Sequence, residues 1–167
     1  MKKISIILSF VALLFLITDT AYSGDKAKKN FEKMKTLVGT WQSKTPDGSV
    51  TKITYKIVSN GSAIMEIISS KEDPGMISMY HLNNDILMMT HYCSAGNQPR
   101  MKAKLDTENP NEINFKYIDA TNLKSEKDGH MLNLDIKFKD KDHLTHVWTW
   151  TKDGKQTEFV FDAERIN

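Results

Sequence analysis

Cysteine is almost absent from this chain: Cys93 is the only one in 167 residues. No intramolecular disulfide can form, and a lone thiol is either buried and inert or exposed and reactive. Excess charge is missing too. The 23 Lys and Arg against 21 Asp and Glu leave a formal net charge of +2. A chain so near neutrality gives no electrostatic reason to expect nucleic acid or an anionic membrane as partner. Metal-ligand spacings are lacking: there is no Cys-x-x-Cys and no His-x-x-x-His. His143 and His146 are three apart, which on a strand points them to opposite faces, so no metal site is expected. The sequence also has no internal repeat and no low-complexity segment.

The one long apolar run sits at the N-terminus. Lys2 and Lys3 precede Ile4–Ile17, and Ala21-Tyr22-Ser23 then offers small residues before Gly24. This is the pattern of a secretory signal peptide, expected to occupy residues 1–23. The run is shorter than the roughly 20 residues needed to cross a bilayer, so cleavage is expected rather than a membrane anchor. No cysteine lies near the cleavage point, which excludes a bacterial lipoprotein anchor. Export to the periplasm or the medium of a bacterium follows. Residues 24–167 then form one domain, large enough for its own core.

Asp25–Val38 reads as a short amphipathic helix, with Ala27, Phe31, Met34, Leu37 and Val38 at helical spacing and Gly39 just past its end. Beyond Gly39 the texture changes to short alternating runs separated by turn signals. Strands are expected at Thr40–Ser43, Val50–Val58, Ala63–Ser69, Met76–Leu82, Ile86–Cys93, Arg100–Leu105, Asn111–Ile118, His130–Phe138 and His143–Thr151, and around Thr157–Phe161. Asn60-Gly61 and Asp153-Gly154 are hairpin signals. About ten strands with hairpin-length connections predict an all-β fold: an antiparallel up-and-down barrel behind a short N-terminal helix.

Gly39-Thr40-Trp41 lies where the helix hands over to the first strand, and Arg165 lies in the last. With the ten-strand meander, these residues make nearly all of residues 24–167 resemble the calycin superfamily, the lipocalin and fatty-acid-binding-like barrels. The resemblance implies that Arg165 stacks over the Trp41 indole and that the pair closes one barrel end structurally. It does not extend to haem. The haem-binding nitrobindin-like branch carries further glycines after the Trp, whereas Trp41 is followed by Gln42-Ser43-Lys44. No cofactor is expected. The stretch Thr90–Met101 resembles one in a family of exported bacterial proteins, a likeness that implies no particular activity.

Thr90–Met101 also holds the densest group of reactive side chains. Alternation from Leu87 and Met89 points His91 and Cys93 inward, near one mouth of the barrel. Asn97 and Gln98 would sit in the loop at that mouth. Arg100 offers a fixed fork for a carboxylate or phosphate. His146 points inward beside Trp148 and Trp150, while Glu66 sits on a strand whose two faces are equally apolar, so its direction stays open. Met79, Met89, Trp148, Trp150, Phe159 and Phe161 would supply apolar walls. The leading expectation is a small, mostly apolar ligand bound in the interior by His91, Cys93, Asn97, Gln98, Arg100, His146, Trp148 and Glu66. Two alternatives remain. One is an enzyme using His91 and Cys93, although these stand about 7 Å apart along one strand face and match no cysteine-hydrolase signature. The other is a structural or interaction protein with a filled core, each polar residue bonded to its neighbours.

Overall fold

Period-two alternation decides the architecture, because every strand has one face that must be buried. In a computed structural model, residues 24–45, 48–70, 75–105 and 109–167 are described. The expected signal peptide and parts of the expected turns at 46–47 and 71–74 lie outside them. The strands are β1 (Gly39–Lys44), β2 (Val50–Val58), β3 (Ala63–Ser69), β4 (Met76–Asn83), β5 (Ile86–Tyr92), β6 (Gln98–Ala103), β7 (Glu112–Thr121), β8 (His130–Phe138), β9 (His143–Lys152) and β10 (Lys155–Arg165). Each pairs antiparallel with the next, and β1 pairs with β10, closing the barrel. Closure removes the free edges that an open meander would leave. The expected fold class is the observed one.

A helix, α1 (residues 24–35), precedes β1. It buries Ala27, Phe31 and Met34, and Leu37 just past its end is buried with them. Lys33 Nζ donates to the Pro110 carbonyl and stands 4.4 Å from the centre of the Phe138 ring. Both lie at the end where β7 starts and β8 finishes, so α1 covers that end, called here the lower one. The helix ends three residues before its apolar spacing predicts. Leu37 and Val38 continue the chain through tighter bonds to the Met34 and Lys35 carbonyls. Arg165 supplies a reason: its guanidinium donates to Thr36 O at 2.9 Å and Val38 O at 2.7 Å, capping the helix end with the last strand. Gly39 follows at φ +128°, and a Cβ there would fall 2.4 Å from the Asn167 carbonyl oxygen. Only glycine fits.

Arg165 also stacks 4.1 Å above the Trp41 ring, whose Nε1 donates to Leu37 O at 2.8 Å. The lower end is thus tied by one guanidinium to α1, β1 and the Lys141 carbonyl of the β8–β9 loop.

Two departures from simple alternation shape the other, upper end. In β8 the register shifts between Met131 and Asn133. This bulge takes Leu132 out of the regular alternation and buries Met131, which strict alternation with Leu134 and Ile136 inside would leave beside Asp135 on the opposite parity from Leu132. In β10 only Ala163–Arg165 pair with β1. Above them, Lys155–Val160 are exposed, which leaves Phe159 at the rim of the barrel rather than in a sealed wall.

Replacing Arg165 by Met keeps most of the stem but removes the stack and the backbone bonds. It should cost on the order of 2 kcal/mol in urea unfolding. A loss under about 0.5 kcal/mol would show that the lower end is held by something else.

Candidate functional site

The upper mouth is open. Between it and the filled lower core lies a polar layer fixed by strand register. Tyr55 of β2 stands opposite Glu66 of β3, Glu66 opposite Ser78 of β4, and Ser78 opposite His91 of β5. All four side chains point inward and are buried. Cross-strand neighbours on one face lie about 5 Å apart, close enough for such a row to bond to itself.

Glu66 is at its centre. Its two carboxylate oxygens accept from Tyr55 Oη at 2.7 Å and from Tyr80 Oη at 2.8 Å. Burial, and next the Glu66 charge, push both tyrosine pKa values well above their ordinary range, so both remain donors. Because the Tyr55 proton goes to Glu66, the same oxygen must accept from His146 Nε2, 2.8 Å away. That places the His146 proton on Nε2. Nδ1 is left without a hydrogen-bond partner, 3.5 Å from Glu66 Oε1. Burial lowers the His146 pKa, with Glu66 opposing it by the smaller effect.

One layer higher the interior opens into a pocket of about 270 Å³. Its walls are Ile68, Met76, Met131, Trp150, Phe159 and Phe161. His91 and Trp148 line its buried part, their ring centres 4.6 Å apart, and Cys93 and Ser94 also border it. His91 Nδ1 is 3.0 Å from Ser78 Oγ. Two buried polar atoms of lining residues have no hydrogen-bond partner: His91 Nε2 and Trp148 Nε1. A buried donor left unpaired costs about 1–3 kcal/mol, so these atoms favour an occupant that bonds them. Burial lowers the His91 pKa to about 4, against a smaller opposing pull from Glu66, so the ring is neutral near pH 7.

Trp150 divides this pocket from a second, polar cleft of about 370 Å³ that includes Asn97, Lys124, Asp128 and Lys152. Its indole packs so closely on Gly129 that a Cβ there would fall 2.1 Å from Cζ2. Glycine at 129 is therefore what lets the indole stand where it does.

The structure sorts the expected site residues into five places. His91, Cys93 and Trp148 line the pocket; Glu66 and His146 lie in the polar layer beneath it. Glu66, whose direction alternation left open, points inward with Ile64 and Ile68. Asn97 and Gln98 serve their loops. Asn97 Nδ2 donates to the Gly129 carbonyl at 2.8 Å, and Gln98 bonds Gly96 and Thr121. Arg100 is not in the interior; it is exposed and forms a forked pair with Asp119 across to β7. Its neighbours Pro99 and Met101 take the buried face, which turns Arg100 outward. Met79 is likewise no wall residue, since Ser78 and Tyr80 take the inner face of β4 and Met76 reaches the pocket instead. Trp41 and Arg165 stack at the lower end. Neither ring nitrogen of His91 bonds the Cys93 thiol, because Nδ1 meets Ser78 and Nε2 has no partner.

Reasoning from the sequence missed Tyr55, Tyr80 and Ser78, although alternation puts Tyr55 beside Ile53. Their meeting with Glu66 depends on register between strands, which alternation within one strand does not reveal. The chain matches no protein-family model and no curated protein.

The depressed His91 pKa makes stability depend on pH. Above pH 6.5 both folded and unfolded states carry a neutral ring. As pH falls from about 6.5 toward 4, the unfolded chain takes up a proton that the folded one refuses, and stability is lost. Between pH 7 and pH 5, wild type should lose about 1–2 kcal/mol more than a His91→Gln variant in urea unfolding. Parallel losses in the two proteins would contradict the buried, neutral His91.

Proposed function

We propose that this protein is an exported, calycin-like carrier or sensor of a small, mostly apolar ligand, which enters through the upper mouth of the barrel. The observation that carries this reading is the open apolar pocket, two of whose lining residues each hold a buried polar atom without a hydrogen-bond partner. Such a combination of apolar walls and a few convergent polar groups is what small-molecule sites share. A cavity of about 150 Å³ can hold benzene, so about 270 Å³ suits a ligand of roughly ten non-hydrogen atoms. Met76 and Met131 lend the walls adaptability. Export is supported by the Lys2-Lys3, Ile4–Ile17 and Ala21-Tyr22-Ser23 pattern. The calycin-like reading is supported by the closed ten-stranded barrel and by the Arg165–Trp41 stack.

An enzyme built on His91 and Cys93 is less well supported, since neither His91 nitrogen engages the thiol. A filled-core structural protein is opposed by the pocket itself.

Neighbouring residues of opposite parity give the test. Met76 lines the pocket, whereas Ile77 is exposed on the outer face. Toluene, measured by calorimetry, should bind wild type and Ile77→Trp with similar affinity, while Met76→Trp should lower it at least tenfold by filling the space. Equal toluene affinity in all three proteins, or no binding to wild type, would overturn the reading.

A further inference from the structure

The inner part of the pocket carries more information than its walls. Trp148 Nε1 carries a hydrogen and can only donate. It is buried on a side chain 2% exposed, and it has no hydrogen-bond partner. His91 Nε2, on a side chain 1% exposed, is in the same condition. The two rings are in contact, their centres 4.6 Å apart, and both residues line the pocket. A ligand atom that bonds Trp148 Nε1 must have a lone pair, which excludes a pure hydrocarbon as the best occupant.

Charge narrows the class further. Among the described residues, no Lys or Arg lines the pocket. Beneath it lies Glu66, at the same level as His91 across two strands, with Ser78 between. A carboxylate placed against the inner end would give up its hydration for two neutral donors at most, and would face a like charge beyond them. Burying an ion without a counter-charge costs several kcal/mol. The forked guanidinium that would welcome such a group, Arg100, is outside the barrel and already paired with Asp119.

We infer that the pocket selects uncharged ligands of about ten non-hydrogen atoms, apolar except for one oxygen, a carbonyl or hydroxyl, held at the inner end by Trp148 Nε1 and His91 Nε2, and that it rejects carboxylates of the same size. This rests on the reading of the pocket as a ligand site and adds the chemistry of its occupant. Fatty acids and aromatic acids are excluded, while small ketones, alcohols and phenols qualify. The hydroxyl satisfies His91 Nε2 in either ring tautomer, since it can donate or accept; the carbonyl satisfies it when Nε2 carries the proton.

Three probes of nearly one shape test the inference: acetophenone, its hydrocarbon counterpart isopropylbenzene, and benzoate, titrated into the protein at pH 7.5 and read by calorimetry. Wild type should bind acetophenone and isopropylbenzene and give no measurable heat of binding with benzoate. Trp148→Phe keeps a ring but removes the donor. It should weaken acetophenone about tenfold and leave isopropylbenzene equal or tighter, because the hydrocarbon no longer strands an unpaired N–H. Benzoate binding more tightly than acetophenone would overturn the inference while leaving the pocket reading intact. So would an equal effect of Trp148→Phe on the two neutral probes. Failure of all three to bind wild type would overturn the pocket reading and the inference with it. If Trp148→Phe does not fold, the wild-type preference for acetophenone over benzoate still decides the charge rule.

Discussion

A carboxylate buried in the middle of an apolar barrel constrains everything around it. Glu66 is fully enclosed, and its two oxygens are held by Tyr55 and Tyr80. Charge-assisted bonds of this kind are roughly twice as strong as neutral ones, and a buried carboxylate without them would be severely destabilising. The bonds form only if β2, β3 and β4 are in one register. On β3 this matters more than elsewhere, because Met65 and Ile67 on one face are as apolar as Ile64 and Ile68 on the other. Hydrophobicity alone does not say which face of that strand belongs inside. A slip by one residue would carry Glu66 out, bring Met65 in, leave the buried Tyr80 hydroxyl unpaired and leave Tyr55 with His146 alone. The polar row therefore specifies the strand pairing that its apolar neighbours leave open.

The same layer divides the barrel into two halves with different tasks. Below it, Ile64, Leu87, Met89, Met101 and Phe115 pack into a closed core covered by α1 and locked by Arg165 against Trp41. Above it, Trp148, Trp150 and the half-exposed Phe159 surround a pocket, and the upper part of β10 stands clear of β1. The lower half supplies rigidity, and the upper half leaves room. His91 sits at the junction: Ser78 holds one nitrogen from the polar layer, and the residue also lines the pocket. Occupancy of the pocket and the bonding of the buried layer thus meet in one side chain.

Much of this was legible in the sequence. Alternation and turn residues gave ten strands in the right order, and parity placed His91, Cys93, His146 and Trp148 inside. What was not legible has specific causes. The helix ends early where Arg165, 129 residues from Thr36, takes the carbonyls just past its last turn. Met131 is buried because of a bulge, and a bulge inverts parity without a fixed sequence mark. Arg100 looked like a ligand group when only its chemistry was considered; its neighbours Pro99 and Met101 had already assigned it to the outer face. Glu66 could not be oriented within its own strand, and only the tyrosines of two other strands settle it.

The polar layer depends on that buried carboxylate, and a double-mutant cycle between Glu66 and Tyr80 tests the dependence most directly. Glu66→Met, Tyr80→Phe and the double variant would be compared with wild type by urea unfolding. A coupling energy above about 1 kcal/mol is predicted, with the double variant less destabilised than the sum of the two single changes. Effects that add to within about 0.5 kcal/mol would contradict a shared bond between these side chains, and with it the layer on which the upper pocket rests.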